Sequence, residues 1–222
     1  MKKLYQTWPF NFGAIHKQDF KKAKVVIVQV PYDGTTSFNS GTRNGPYAII
    51  NSSRYLDELL DSEGEDLIGL KSTDIFTLDE LEISRNSPKE AIDGVEQAIE
   101  KEVLADNKIP LMLGGEHSIT LGAIRALKNK YSDISVLQLD AHADLIDEYE
   151  GTKYGHACVM RRVRELGVKT VSIGLRNLNA EVQEYFCGRE MENIYFAPEV
   201  PSLEKIVQGL SENIYLTVDL DV

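Results

Sequence analysis

Short, β-branched apolar runs alternate along this chain with stretches whose apolar positions recur at helical spacing. Val25–Val30 is the first predicted strand, followed by a turn-rich loop from Pro31 to Gly45 and a helix that opens at Pro46. A weaker strand is expected near Asp74–Leu78. Pro88 to Ala105 predicts a helix with Ser87 as N-cap and Pro88 as its first helical residue; Ile92, Val95, Ile99 and Val103 fall on one face. Ile109–Leu113 is the next strand, left through Gly114-Gly115. Ser118 to Tyr131 is expected as a helix, and Ile134–Leu139 as a strand of the fully buried kind. Val159 to Leu166 predicts a helix, Thr170–Leu175 and Ile194–Phe196 strands, Leu203 to Leu210 a helix, and Ile214–Leu220 the last strand. Such alternation predicts an α/β fold, a three-layer α-β-α arrangement around a mainly parallel sheet. No linker composition divides the 222 residues, so a single domain over 1–222 is expected.

Three polar motifs stand at the carboxyl ends of predicted strands, where ligands of parallel sheets gather. They are Gly114-Gly115-Glu116-His117-Ser118, Asp140-Ala141-His142-Ala143-Asp144 and Asp219-Leu220-Asp221. Residues two apart in an extended segment point the same way, so Asp140, His142 and Asp144 share a direction, as do Asp219 and Asp221. His117 adds an imidazole. A single Asp-x-His at a strand end is commonly a turn or cap; three such motifs at strand ends together favour chemistry. Two imidazoles and four carboxylates are an oxygen-rich donor set that suits a pair of Mn²⁺ ions better than thiolate-loving Zn²⁺. Four Asp charges also offset two dications.

The bulk properties narrow the partners. A net charge of −11 argues against nucleic acid. Most of this charge is expected to be solvated surface, although it can also draw in small cations. Two cysteines without CxxC spacing, Cys158 and Cys187, suggest neither a disulfide framework nor a thiolate zinc site. No apolar run is long enough to span a bilayer and the N-terminus lacks a signal-peptide core, so the cytoplasm is the expected location and no membrane partner is foreseen. His16 is read as a surface residue, and Cys158 as a small packing residue.

With those motifs the chain resembles the ureohydrolase (arginase/agmatinase) family, most closely its bacterial and archaeal agmatinase branch. Val30-Pro31-Tyr32-Asp33 and Gly41-Thr42-Arg43-Asn44-Gly45-Pro46 look like the family's N-terminal loop, and the stretch from Asp144 through Tyr149-Glu150-Gly151 to His156 looks like its agmatinase-type loop. The resemblance implies an arginase-like fold and two Mn²⁺ per subunit. His117 and Asp144 would serve one ion, His142 and Asp221 the other, with Asp140 and Asp219 bridging. It also implies agmatine hydrolysis to putrescine and urea by a hydroxide held between the ions, with Asp144 relaying a proton and His156 carrying it to or from solvent. His156 follows Gly155 at a helix start, so a hydrogen-bonding role there stands beside the proton-carrier role. The family commonly forms homo-oligomers.

The expected substrate is a small cationic guanidino compound. The loop Leu145 to Gly155 lacks the Asn/Ser set with which arginases hold the amino-acid end of arginine, and its acids suit a terminal amine, although solvated surface charge accounts for them almost as well. Asn177 and Asn179 stand where arginases carry acids. The same-class alternatives are a guanidinobutyrase, an arginase or a formiminoglutamase; a non-catalytic relative is the alternative of another class. Family members continue beyond the third motif through another strand and closing helices, so the chain ending at Val222 is expected to lack the C-terminal part of the fold and, by itself, to bind metal weakly and turn over little substrate.

Overall fold

Val25–Val30, the first predicted strand, forms β1 at the centre of a three-stranded sheet in the computed structural model, which describes residues 8–55, 74–177, 180–187 and 193–221. β1 lies between β2 (Ile75–Glu80) and β3 (Ile109–Gly114), parallel to both, with Val25 opposite Ile75 and Ile109. Val26, Ile27, Val28 and Val30 are buried, as a central parallel strand requires. Helix α1 (Gly45–Ser53) carries Pro46 in its first turn and buries Ile50. These elements belong to one of two compact units, which draws on residues up to Asp33, Asn39–Ile83 and Ala98–Gly115. Its loop after β1 is pinned by the buried Asp33, which accepts from the Gly41 N–H at 2.8 Å and from Arg43 Nε at 2.6 Å. The Arg43 guanidinium holds the Asp33 carboxyl below its ordinary range. At the exit from β3, a Cβ on Gly115 would stand 1.8 Å from the carbonyl oxygen of Tyr32, so only glycine lets the two backbones pass.

The second unit comprises Gly34–Phe38, Ser84–Gln97 and Glu116–Val222. Its sheet has the order β6-β5-β4-β7, all parallel, formed by β4 (Ser135–Leu139), β5 (Lys169–Leu175), β6 (Ile194–Phe196) and β7 (Ile214–Val218). Helix α2 (Pro88–Glu102) starts in this unit: Ser87 Oγ accepts the Glu90 N–H at 3.2 Å, the N-cap foreseen from sequence. Ile92 and Val95 pack against α3 (Thr120–Lys130) where Gly122 allows close approach; a Cβ there would meet the Ile92 carbonyl oxygen at 2.6 Å. Helix α4 (Val159–Glu165) buries Val159, Met160 and Val163. Helices α5 (Ala180–Tyr185) and α6 (Leu203–Gln208) follow β5 and β6.

The strands fall close to the predicted ranges. Three differences matter. The helix expected from Ser118 opens with a 3-10 turn over His117–Ile119, and α5 has no counterpart among the predicted elements. The last strand ends at Val218, so Asp219 and Asp221 lie just past the ladder. Among the described residues β7 pairs only with β4, and Ile214, Leu216 and Val218 are exposed in spite of their apolar character. No helix among the described residues is long and apolar enough to cross a membrane.

Candidate metal centre

Parallel register carries two of the motifs together. Leu139 stands opposite Val218, and the Asp219 N–H donates to the Leu139 carbonyl at 2.9 Å, so the first residues beyond β4 and β7 emerge side by side. Asp140 and Asp219 therefore meet at one sheet edge although 79 positions separate them in the sequence. The 3-10 turn at His117 faces them. His117 Nδ1 lies 3.0 Å from Asp140 Oδ2, 3.0 Å from Asp144 Oδ2 and 3.7 Å from Asp219 Oδ2. On the outer side His142 Nδ1 is 2.9 Å from Asp221 Oδ2 and 3.9 Å from Asp140 Oδ1. His117, Asp140 and Asp219 form one group of donor atoms within 4.8 Å of each other; Asp140, His142 and Asp221 form a second. Asp140 belongs to both.

Asp144 arrives by a different route from the strand alternation expected for it. Its backbone is left-handed (φ 50°), a conformation Asp tolerates, and its carbonyl accepts the Met160 and Arg161 N–H groups at 3.0 and 3.2 Å. The start of α4 thus holds the kink that turns its carboxylate toward His117.

The electrostatics call for a cation. His117 Nε2 is engaged by Thr217 Oγ1 at 2.9 Å, whereas the buried Nδ1 has no hydrogen-bond partner and faces carboxylates. Whatever sits at Nδ1 must be positive: a metal ion, or a proton on the ring. Burial opposes that proton, but the Asp140 and Asp144 carboxylates outweigh it and push the imidazole up from 6.5 to about 10. Burial pushes the Asp144 and Asp219 carboxyls upward. Burial works against ionised Asp140 too, yet His117, the His142 N–H and the Gln138 amide hold its carboxyl below the ordinary range. The donor set, carboxylate and imidazole without thiolate, fits Mn²⁺. Metal binding has to displace the His117 proton, so manganese affinity is expected to rise with pH up to about 10 and then level off. Calorimetry in two buffers of different ionisation enthalpy measures the released protons; no release at neutral pH would contradict this.

Residues not foreseen from sequence orient these donors. The buried Gln138 donates from Nε2 to Asp140 Oδ2 at 2.8 Å and to the His142 carbonyl at 3.1 Å, and its own oxygen accepts from Ser172 Oγ at 2.7 Å. Asp140 Oδ1 accepts the His142 N–H at 2.7 Å, and Asp221 Oδ1 accepts the Ala141 N–H at 3.1 Å. Gln138 and Thr217 each stand two positions before an Asp, as polar residues within apolar strands; that was the available signal. Thr217→Val frees the His117 ring to turn and is expected to weaken manganese binding about 10- to 100-fold, read by metal titration.

His156 opens a 3-10 turn at the rim of a cavity of about 460 Å³, lined also by Ser37, Asp144, Ile146, Tyr149 and Val182. His142, Asp219 and Asp221 reach the same cavity. The Tyr149 ring stands edge-on to His156, 5.8 Å between centroids. The acids of the following loop do not line it: Asp147 instead pairs with Lys153 at 3.2 Å and Arg162 at 2.5 Å, and Glu148 and Glu150 are exposed. Asn177 lines the cavity, whereas Asn179 lies outside the described residues. Cys158 is buried, and burial pushes its thiol up to about 11, which fits the packing role foreseen for it.

Comparison with known proteins supports the same picture. The Arginase family model matches residues 23–222. An N(1)-aminopropylagmatine ureohydrolase of Thermococcus kodakarensis is 34% identical over 98% of this chain and 73% of its own length. An agmatinase of Pyrococcus horikoshii is 32% identical over 92% of this chain and 70% of its own. The crystal structure of an agmatine ureohydrolase of Thermoplasma volcanium, 30% identical, superposes with a TM-score of 0.78 over 99% of this chain and 73% of that one.

Proposed function

The chain belongs to the arginase family, and on that premise we propose that it is an agmatinase, hydrolysing agmatine to putrescine and urea with two manganese ions. The observation that carries this reading is the position of Asp140 as the common member of two adjacent His/Asp donor groups. In the proposed assignment His117 and Asp144 would hold one ion and His142 and Asp221 the other, with Asp140 and Asp219 available to both. When bound, manganese supplies the Lewis acidity that makes water a nucleophile at neutral pH.

The chain's own residues supply the rest. Ile146, Ala157 and Val182 offer apolar wall to a tetramethylene chain, and the donor residues His142, Asp219 and Asp221 reach the same cavity, which brings the guanidinium beside the metal site. Asp144 takes one proton from the attacking water at its carboxylate oxygen. His156 delivers a proton to the departing amine as the bond between that nitrogen and the guanidinium carbon breaks. The water oxygen stays on the carbon and becomes the carbonyl of urea as its second proton passes to the amine, which leaves as putrescine; Asp144 then returns its proton to His156 through solvent, so both groups regain their starting states. No Lys or Arg lies among the described residues lining the cavity, which favours a substrate without a carboxylate tail.

A second reading has its own support, since the relative at 34% identity is named for N(1)-aminopropylagmatine. Urea release measured on manganese-loaded protein with agmatine, N(1)-aminopropylagmatine, arginine and guanidinobutyrate separates them. Agmatine is expected to lead in kcat/KM by about tenfold or more, one pocket contact's worth of discrimination. Urea from none of them would overturn the reading. His156→Asn is expected to lower kcat about 100-fold or more while bound manganese stays unchanged; an unaltered kcat would remove His156 from the proton path.

A further inference from the structure

His156 is not held by its own segment alone. Glu116, buried one position before His117, gathers three donors: the Thr35 N–H at 2.7 Å on Oε2, and the hydroxyls of Thr35 and Ser118, each at 2.5 Å, on Oε1. Thr35 comes from the segment Gly34–Phe38, which belongs to the same unit as the metal-binding motifs. Its Oγ1 accepts the backbone N–H of His156 at 3.1 Å and lies 3.4 Å from His156 Nδ1. Gly155 makes room for this approach, since a Cβ there would already meet Thr35 Oγ1 at 3.3 Å.

We propose that Glu116 and Thr35 are positioning residues that fix the tautomer and ring orientation of His156. A hydroxyl carries one proton. Thr35 commits that proton to the Glu116 carboxylate, so its oxygen can only accept from the histidine. The ring nitrogen facing Thr35 is therefore Nδ1–H, and Nε2 keeps its lone pair. On protonation Nε2 becomes the donor while Nδ1 stays tied, so the proton to be delivered is always on the same nitrogen. The edge-on Tyr149 ring restricts rotation from the other side. Carboxylate, hydroxyl and imidazole thus form a chain in which the carboxylate acts through an intervening threonine, at a sequence separation of 121 between Thr35 and His156.

The catalytic meaning of this chain rests on the proton-carrier role given to His156 above; its geometry does not. Two-bond ¹H–¹⁵N correlation spectra of histidine-labelled, metal-free protein report the tautomer of the neutral ring directly, with His156→Asn assigning the signal. The wild-type ring is expected as Nδ1–H. Thr35→Val is expected to shift it toward Nε2–H, Glu116→Gln to broaden the preference, and Thr35→Ser to restore it. In turnover, Thr35→Val is expected to lower kcat about 10- to 100-fold with KM nearly unchanged, and to add nothing in a His156→Asn background. A wild-type Nε2–H ring, or a tautomer indifferent to Thr35→Val, overturns the proposal, and the wild-type spectrum decides it even if the Val variant does not fold. If the tautomer follows Thr35 while His156→Asn retains full kcat, the relay stands and the proton-carrier role falls.

Discussion

Asp140→Asn is expected to lower bound manganese from near two per chain to less than one and urea release at least about a thousandfold. The substitution is nearly isosteric. Its amide oxygen can still accept the His142 N–H, but its amide nitrogen meets the Gln138 Nε2 donor, so circular dichroism is read alongside to separate lost metal from lost folding. What goes is one negative charge and one oxygen donor, at the only position common to both donor groups among the described residues. Losing Asp221 would strip only the outer group; losing Asp140 weakens both at once. Asp147→Asn is the fitting comparison, because that acid pairs with Lys153 and Arg162 outside the cavity lining and belongs to neither donor group, so turnover is expected to stay within about twofold. Elemental analysis beside a urea assay reads both. An Asp140→Asn protein that keeps two ions would remove the basis for placing Asp140 between them.

The second large effect falls on stability. Gly115→Ala is expected to cost more than about 3 kcal/mol of a total that for ordinary domains is about 5–15 kcal/mol. The atoms in the way are all backbone: the added carbon would lie 1.8 Å from the Tyr32 oxygen, 2.7 Å from its carbonyl carbon and 3.0 Å from its nitrogen. No rotamer can relieve that. Both backbone segments are tied in place, with the Tyr32 N–H on the Val30 carbonyl at 2.9 Å and the Gly115 N–H on the same oxygen at 3.2 Å. Gly94→Ala, on α2 with open space around it, should instead be neutral or stabilising by about 0.5–1 kcal/mol. Denaturant midpoints of the two variants test the contrast, and a Gly115→Ala protein as stable as the parent would show that the loop moves freely.

Local pattern carried much of this molecule. Apolar runs located the strands because a strand buried on both faces has few alternatives, and Ser87-Pro88 announced the start of α2. The motifs were legible because three of them coincide at strand ends, where any one alone would pass for a turn or a cap. Strand order was not: besides its sequence neighbour β5, β4 pairs on its other side with β7, two strands beyond β5 along the chain, and nothing in either segment encodes that choice. The six-residue α5, which brings Val182 to the cavity, is too short for a periodicity to register. The strand-alternation rule could not foresee the left-handed backbone of Asp144, whose support comes from α4. Thr35 and Glu116 escaped notice for a related reason, since their importance lies in hydrogen bonds made across long separations.

The donor groups differ in their access to water. Side chains of His117, Asp140 and Asp144 are 5%, 1% and 8% exposed, against 51% for His142 and 43% for Asp221. Two ions lodged there would keep different clocks. A chelator would reach the outer one directly, whereas the inner one would leave only after its neighbours had swung aside. Brief dialysis would then yield a half-loaded species with its own lifetime, and its manganese would be the slow-exchanging ion at His117.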